Sequence, residues 1–100
     1  MDEATSASAE AAARAHAQAV VSNNIGAVVL GMTANAFAKA MDVGNTTWGY
    51  FGFELAAHSQ DGEDYLFDIT YKTDQAPFTL RDRFRCIDGE WTVVDLEQIG

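Results

Sequence analysis

From about residue 46 onward, apolar and polar side chains alternate with a period of two, in stretches of eight to twelve residues. Before that point the apolar positions recur every three to four residues. A period of two places successive side chains on opposite faces of a strand, and a period near 3.6 lines one face of a helix. The chain therefore divides into a helical half and a sheet half. Three helices are predicted over 7–22, 25–32 and 34–41, with residues 1–6 as a flexible tail. Nine of the sixteen residues 4–19 are alanine, the best helix former, and its small side chain lets a helix approach a sheet closely. Asn24 and Thr33 stand where N-caps of the second and third helices belong.

Four strands are predicted over 46–58, 63–72, 78–86 and 91–98. The outer connections, Gln60-Asp61-Gly62-Glu63 and Ile87-Asp88-Gly89-Glu90, both read x-Asp-Gly-Glu, a hairpin signal. The middle connection is short and holds Pro77, so the strands form an antiparallel meander. A two-residue turn in the last hairpin would set Asp82 against Asp95, two like charges. A three-residue loop avoids this and pairs Arg81 with Asp95, Leu80 with Leu96 and Asp82 with Val94. The same loop in the first hairpin pairs Leu55 with Phe67, Phe53 with Ile69 and Glu54 with Asp68. Gly49 and Gly52 mark a bend or bulge in the first strand.

In this register one sheet face carries Phe51, Phe53, Leu55, Tyr65, Phe67, Ile69, Tyr71, Phe78, Leu80, Asp82, Phe84, Cys86, Val94 and Leu96. The helices must cover it. The other face carries a charged row, Glu54, Asp68, Arg81 and Asp95, framed by Trp48, Tyr50, Leu66, Arg83, Arg85, Trp91 and Val93. The fold class is α+β: N-terminal helices packed on one face of a curved four-stranded antiparallel meander, a single domain over 1–100.

Composition narrows the function classes. The net charge of −9 disfavours nucleic acid as a partner. Hydrophobic residues make up 48%, which suits a packed core rather than disorder. The one cysteine, Cys86, excludes an internal disulfide and any CxxC zinc spacing. The alanine-rich N-terminus lacks the basic start of a signal peptide, and no apolar run approaches the ~20 residues of a membrane span. A cytoplasmic protein with no cofactor, no metal and no membrane contact is the expectation.

Asp82 is the one charge on the apolar face. Burying a carboxylate is costly unless it is paired or neutralised. It is either a general acid or base in a pocket, or a structural anchor held by a helix terminus, a tyrosine hydroxyl or His16. His16 lies on the stripe of the first helix that faces the sheet, so a His16–Asp82 dyad competes with a simple partly buried histidine. Tyr65 and Tyr71, with Phe53, Phe67 and Phe84, share Asp82's face and are pocket lining if the alanine-rich helix leaves space, core if it does not. Cys86 reads as an inert buried thiol and His58 as a surface residue. Arg81, Arg83 and Arg85 suggest an anion site or, more simply, charges consumed by facing aspartates, with Arg85 stacked on Trp91.

Three helical segments ahead of a curved meander that ends in Asp88-Gly89-Glu90-Trp91-Thr92-Val93-Val94-Asp95-Leu96 resemble the NTF2-like superfamily, the SnoaL-like and ketosteroid-isomerase-like proteins. The segment 24–41, a short helix, Met-Thr and another helix, is similar as well. This chain is shorter, and only Val28-Val29-Leu30 stands where those proteins have an extra strand. The resemblance implies a cone-shaped fold, a pocket between helices and sheet for a small, largely apolar molecule, and homodimers. It implies no single activity: isomerases, cyclases and dehydratases occur beside binding and interaction modules. No catalytic motif matches position by position.

Overall fold

The computed structural model describes residues 3–43, 50–73 and 76–100. Trp48 and Gly49, and the side chain of Tyr50, lie outside the described residues. Helices α1 (Glu3–Val21), α2 (Ile25–Leu30) and α3 (Ala34–Val43) precede strands β1 (Tyr50–Asp61), β2 (Asp64–Thr73), β3 (Phe78–Ile87) and β4 (Glu90–Gln98). The strands form one open antiparallel sheet in the order β1-β2-β3-β4. The α+β architecture is as the pattern predicts. Helix α1 starts at Glu3, inside the segment expected to be a tail, because the alanine-rich composition carries on toward the N-terminus with no residue that stops a helix.

The caps fall where expected. Asn24 Oδ1 accepts from the Ala27 amide at 3.4 Å, and Thr33 Oγ1 accepts from the Ala36 amide at 3.2 Å. Each satisfies a donor that a helix start leaves free, worth about 1 kcal/mol. Helix α1 lies over β1 and β2, and α3 against β4. Ala9, Ala13 and Ala17, each four apart, are all fully buried and form the ridge of α1 that meets the sheet. The core is that ridge, Ala36, Val28 and Met32 against Tyr65, Phe67, Ile69, Tyr71, Leu80, Phe84, Val93 and Leu96.

The register differs from the expectation in an instructive way. Neither Asp-Gly hairpin uses a three-residue loop. In the last, Ile87 pairs with Glu90 around a two-residue turn in which Asp88 and Gly89 both have positive φ (52° and 84°), the type I′ pattern. In the first, Asp61 pairs with Asp64 and only Gly62 (φ 63°) is left-handed, the type II′ pattern. The same x-Asp-Gly-Glu tetrapeptide thus closes two hairpins one residue out of phase. Each short turn is followed by a one-residue bulge, at His58 in β1 and at Val94 in β4. The like-charge clash is real, but the chain removes it with the bulge rather than with a longer loop: Asp82 pairs with Leu96, and Arg83 with Asp95. Leu55 pairs with Ile69, Phe53 with Tyr71 and Glu54 with Thr70. Both hairpins are offset by two residues from the expected register, which changes partners and keeps faces.

Near the bulges the faces do change. Val93 is fully buried and Trp91 packs against the core, so both belong to the helix face and not to the charged face. Phe51 is the unpaired extra residue of a third irregularity, beside Gly52, and is 73% exposed. Cys86 lies near the tip of the last hairpin, beyond the helices, and is exposed rather than buried. Val93 also explains the absent extra strand. Its amide donates to Gly31 O and its carbonyl accepts from the Thr33 amide, both at 2.9 Å, so the α2–α3 connection covers the β4 edge with one bridge at Met32.

On the outer face each arginine of β3 meets an aspartate. Arg81 holds Asp68 through two bonds of 2.8 and 3.1 Å, and Arg83 reaches Asp61 at 2.7 Å and Asp64 at 2.6 Å. Arg85 chelates Asp64 at 2.9 Å twice and pairs in register with Thr92, so it is not stacked on Trp91. Asp95 is bound by Lys39 of α3, not by Arg81. Glu54 pairs with Lys72 at 3.0 Å. The bonds from Arg85 and Arg83 outweigh burial and hold Asp64 down to about 2.

Gly89→Ala tests the turn chemistry. The added methyl would meet no heavy atom within 4 Å, so only the left-handed backbone penalises it. A loss of about 1–2 kcal/mol in urea unfolding is expected. Asp88→Asn should be close to neutral, since asparagine tolerates the same conformation.

Candidate functional site

Asp82 stands at the middle of β3, between Leu80 and Phe84 along the strand and between Phe67 and Leu96 across it. It is 1% exposed. Helix α1 brings His16 over it from beside the alanine ridge. His16 Nε2 lies 3.7 Å from Asp82 Oδ2, with the two side chains 8% and 2% exposed. That separation allows charge pairing but exceeds hydrogen-bond length. The dyad is therefore present as a buried contact, one residue from each layer.

Aromatic rings hold the pair in place. The His16 ring meets Phe84 edge-on at 6.0 Å, and Phe84 meets Phe67 edge-on at 5.8 Å. Tyr65 meets Trp91 edge-on at 5.5 Å, and Trp91 Nε1 donates to Ser8 Oγ on α1 at 3.0 Å. Tyr71, 2% exposed, packs on Phe78 further along β2. Phe53 is half-buried on the edge strand. Of the expected lining residues, Phe67 and Phe84 flank the dyad, Tyr65 lies opposite Phe84 with its ring on Trp91, and Tyr71 and Phe53 sit toward the other end of β2 and β1. All but Phe53 are buried core.

Three buried polar atoms between the layers have no hydrogen-bond partner among the described residues: His16 Nδ1, Asp82 Oδ1 and the Tyr65 hydroxyl. Leaving a buried polar atom unpaired costs roughly 1–3 kcal/mol, so three on one face is a large concentration of unmet bonding capacity. Burial dominates the titration of both ionisable members. It raises Asp82 to about 7 and lowers His16 to about 4. Near neutrality the pair favours its neutral forms, and Asp82 can hold or release a proton.

Sequence reasoning missed one residue of this site and put a neighbour on the wrong face. Trp91 faces the helices because the two-residue turn sets it opposite Cys86, and its ring packs on Tyr65. Gly31, between α2 and α3, comes close to the dyad: a Cβ built there would lie 3.8 Å from His16 Nδ1. An isolated glycine in Leu30-Gly31-Met32 carries no signal of that approach.

The remaining candidates lie elsewhere. His58 is at the β1 bulge, 4.0 Å from Asp68, on the outer face. An open cleft of about 230 Å³ also lies on that face, with Lys39, Arg81, Arg83, Asp95 and Glu97 around Leu66. Its cations are largely consumed by the ion pairs above. Among the described residues no group of three or more His, Cys, Asp or Glu side chains is placed to hold a metal ion, and no helix is long and apolar enough to cross a membrane.

The fold and site thus define a two-layer α+β domain with a buried carboxyl–imidazole pair between its layers. No family model, no curated protein and no solved structure matches the chain.

The two shifts have opposite signs with pH. Asp82 is raised above its unfolded value, so its stabilising share is complete below about pH 4 and is lost as pH rises through about 7. His16 is depressed, so its share is complete above about pH 6.5 and is lost as pH falls through about 4. In the wild type the slopes offset between these limits. Relative to wild type, Asp82→Asn should lose stability as pH falls from 6.5 to 4, and His16→Gln should lose it as pH rises from 4 to 7. Urea unfolding at half-unit steps measures both. Variants that run parallel to wild type across this window would show that the pair does not titrate as described.

Proposed function

We propose that this protein is a small-molecule-binding module of NTF2-like architecture whose recognition centre is Asp82, with His16 beside it and Tyr65 further along the same sheet face. The observation that carries the reading is the set of three buried, unpartnered polar atoms on the helix-facing side of the sheet. A ligand that supplies hydrogen-bond partners to them recovers the cost of their desolvation. The neighbouring Phe67 and Phe84 suit an apolar body, so the ligand class is a small, largely apolar molecule with one carbonyl or hydroxyl group. A carboxyl raised to about 7 by burial also fits proton transfer next to a carbonyl, the step shared by isomerases, cyclases and dehydratases. In that role Asp82 takes or gives the proton, and the Tyr65 hydroxyl donates to the ligand oxygen. The second reading, an interaction domain with a filled interior, is favoured by the tight burial of Tyr65, Phe67 and Phe84.

Titration of the ¹⁵N-labelled protein with small alicyclic ketones and enones separates the two. The expected result is amide shifts at Asp82, Phe84 and Tyr65, weakened at least ten-fold by Asp82→Asn. Deuterium exchange at the ketone α-carbon that is faster with wild type than with Asp82→Asn would add catalysis. No shift at these residues up to the solubility limit of every compound would leave the filled interior as the function-free reading.

A homodimer through the outer sheet face belongs to the same proposal, on altered grounds. Trp91 and Val93 face the helices, so that face keeps Leu66 at its middle and Ile87 at the hairpin end, and the Arg–Asp pairs would have to supply most of the contacts. Light scattering at micromolar concentration should give twice the chain mass, falling to one in Arg83→Glu. A monomer in wild type overturns the interface.

A further inference from the structure

The site is closed in this structure, which raises the question of how anything reaches it. We infer that α2 is a hinged cap over the His16–Asp82 pair and that Gly31 is the position past which a ligand's polar group reaches His16 Nδ1. The inference rests on the binding reading above for its purpose, but the cap is a physical claim of its own.

Four observations support it. Helix α2 has six residues and buries one side chain, Val28; Ile25, Val29 and Leu30 are 55%, 42% and 87% exposed. Lifting it therefore exposes little new apolar surface, and elements with few buried contacts open locally before the whole domain unfolds. Both of its ends can pivot. Asn23, just before it, is already in the left-handed region at φ 58°, and Gly31 follows it. Its C-terminal end meets the sheet at Val93, whose amide donates to Gly31 O and whose carbonyl accepts from the Thr33 amide just beyond. The unpartnered Nδ1 of His16 looks toward Gly31, where a side chain is missing. A methyl at Gly31 would sit at ordinary contact distances, 3.5 Å from Ala27 O and 3.8 Å from Nδ1, so the fold accepts it while the space beside Nδ1 is lost.

Diethyl pyrocarbonate, which acylates neutral imidazoles, reads the cap without any ligand. Its two targets are His16 under α2 and His58 on the surface, the internal reference. His16 in wild type should react at least ten-fold more slowly than His58, yet faster than the exchange of the Ile69 and Phe84 amides allows for global unfolding. Val28→Ala should accelerate His16 by about five-fold or more. Ile69→Val, which weakens the core beneath, should accelerate the core amides and leave His16 unchanged. If His16 reacts only at the global unfolding rate, or if Ile69→Val accelerates it as much as Val28→Ala, there is no independent cap. Gly31→Ala then tests the route. It should leave the urea unfolding midpoint unchanged and weaken binding of the best ketone at least five-fold; unchanged ketone affinity overturns the role of Gly31. If no ketone binds while His16 labelling follows Val28 alone, the ligand reading fails and the cap stands.

Discussion

The close seating of the alanine ridge of α1 on the sheet is the constraint on which the rest of the structure depends. Ala9, Ala13 and Ala17 are fully buried because nothing larger than a methyl group separates the helix from β1 and β2. That approach removes water from the middle of β3, and Asp82 is there. The same helix carries His16 one residue before Ala17, so the group that could answer the buried carboxylate arrives on the element that buries it. A bulkier ridge would lift α1, admit water and let both groups ionise as they do in solution. Packing therefore sets the chemistry of the pair.

Two kinds of polar interaction divide between the sheet faces. On the outer face Asp64 and Asp68 have arginine partners at hydrogen-bond distance, and their carboxyls are held below their usual range. On the inner face the carboxylate has an imidazole at 3.7 Å and no cation, and its titration moves the other way. Asp64 and Asp82 are both buried carboxylates on adjacent strands, and guanidinium contact is what separates them. Outer ion pairs that are partly exposed add modestly to stability and fix which strands pair. The inner pair costs stability in either protonation state, which is a cost that binding sites bear more often than plain cores do.

The β4 edge links the site to the loop that covers it. A two-residue turn at Asp88-Gly89 would alone set Asp82 against Asp95. The turn itself sets Val93 opposite Phe84 on the helix face, where its backbone holds Gly31 and Thr33, and the extra residue at Val94 then sends Asp95 outward to Lys39. Turn and bulge together separate two like charges, close the core with Val93 and Trp91, and anchor the connection from α2 to α3.

Much of this was legible in the chain. Periodicity marks three helices and four strands, Asn24 and Thr33 mark the caps of α2 and α3, and alternation along Phe78–Cys86 by itself places Asp82 among apolar neighbours. These features depend on contacts within a few residues, where side-chain geometry follows directly from backbone period. The phase of each turn and the positions of the bulges did not follow: the turn decided the inward side of Trp91 and Val93, and the bulges decided the partner of Asp95 and the exposure of Phe51. Both Asp-Gly-Glu loops have the same local sequence and close in different phases, so the loop residues alone do not select the register. Selection comes from what each strand must meet across the sheet and from the α2–α3 connection on β4. The approach of Gly31 to His16 is of the same kind: it joins a loop and a helix through the sheet on which both rest, and only the assembled layers bring them together.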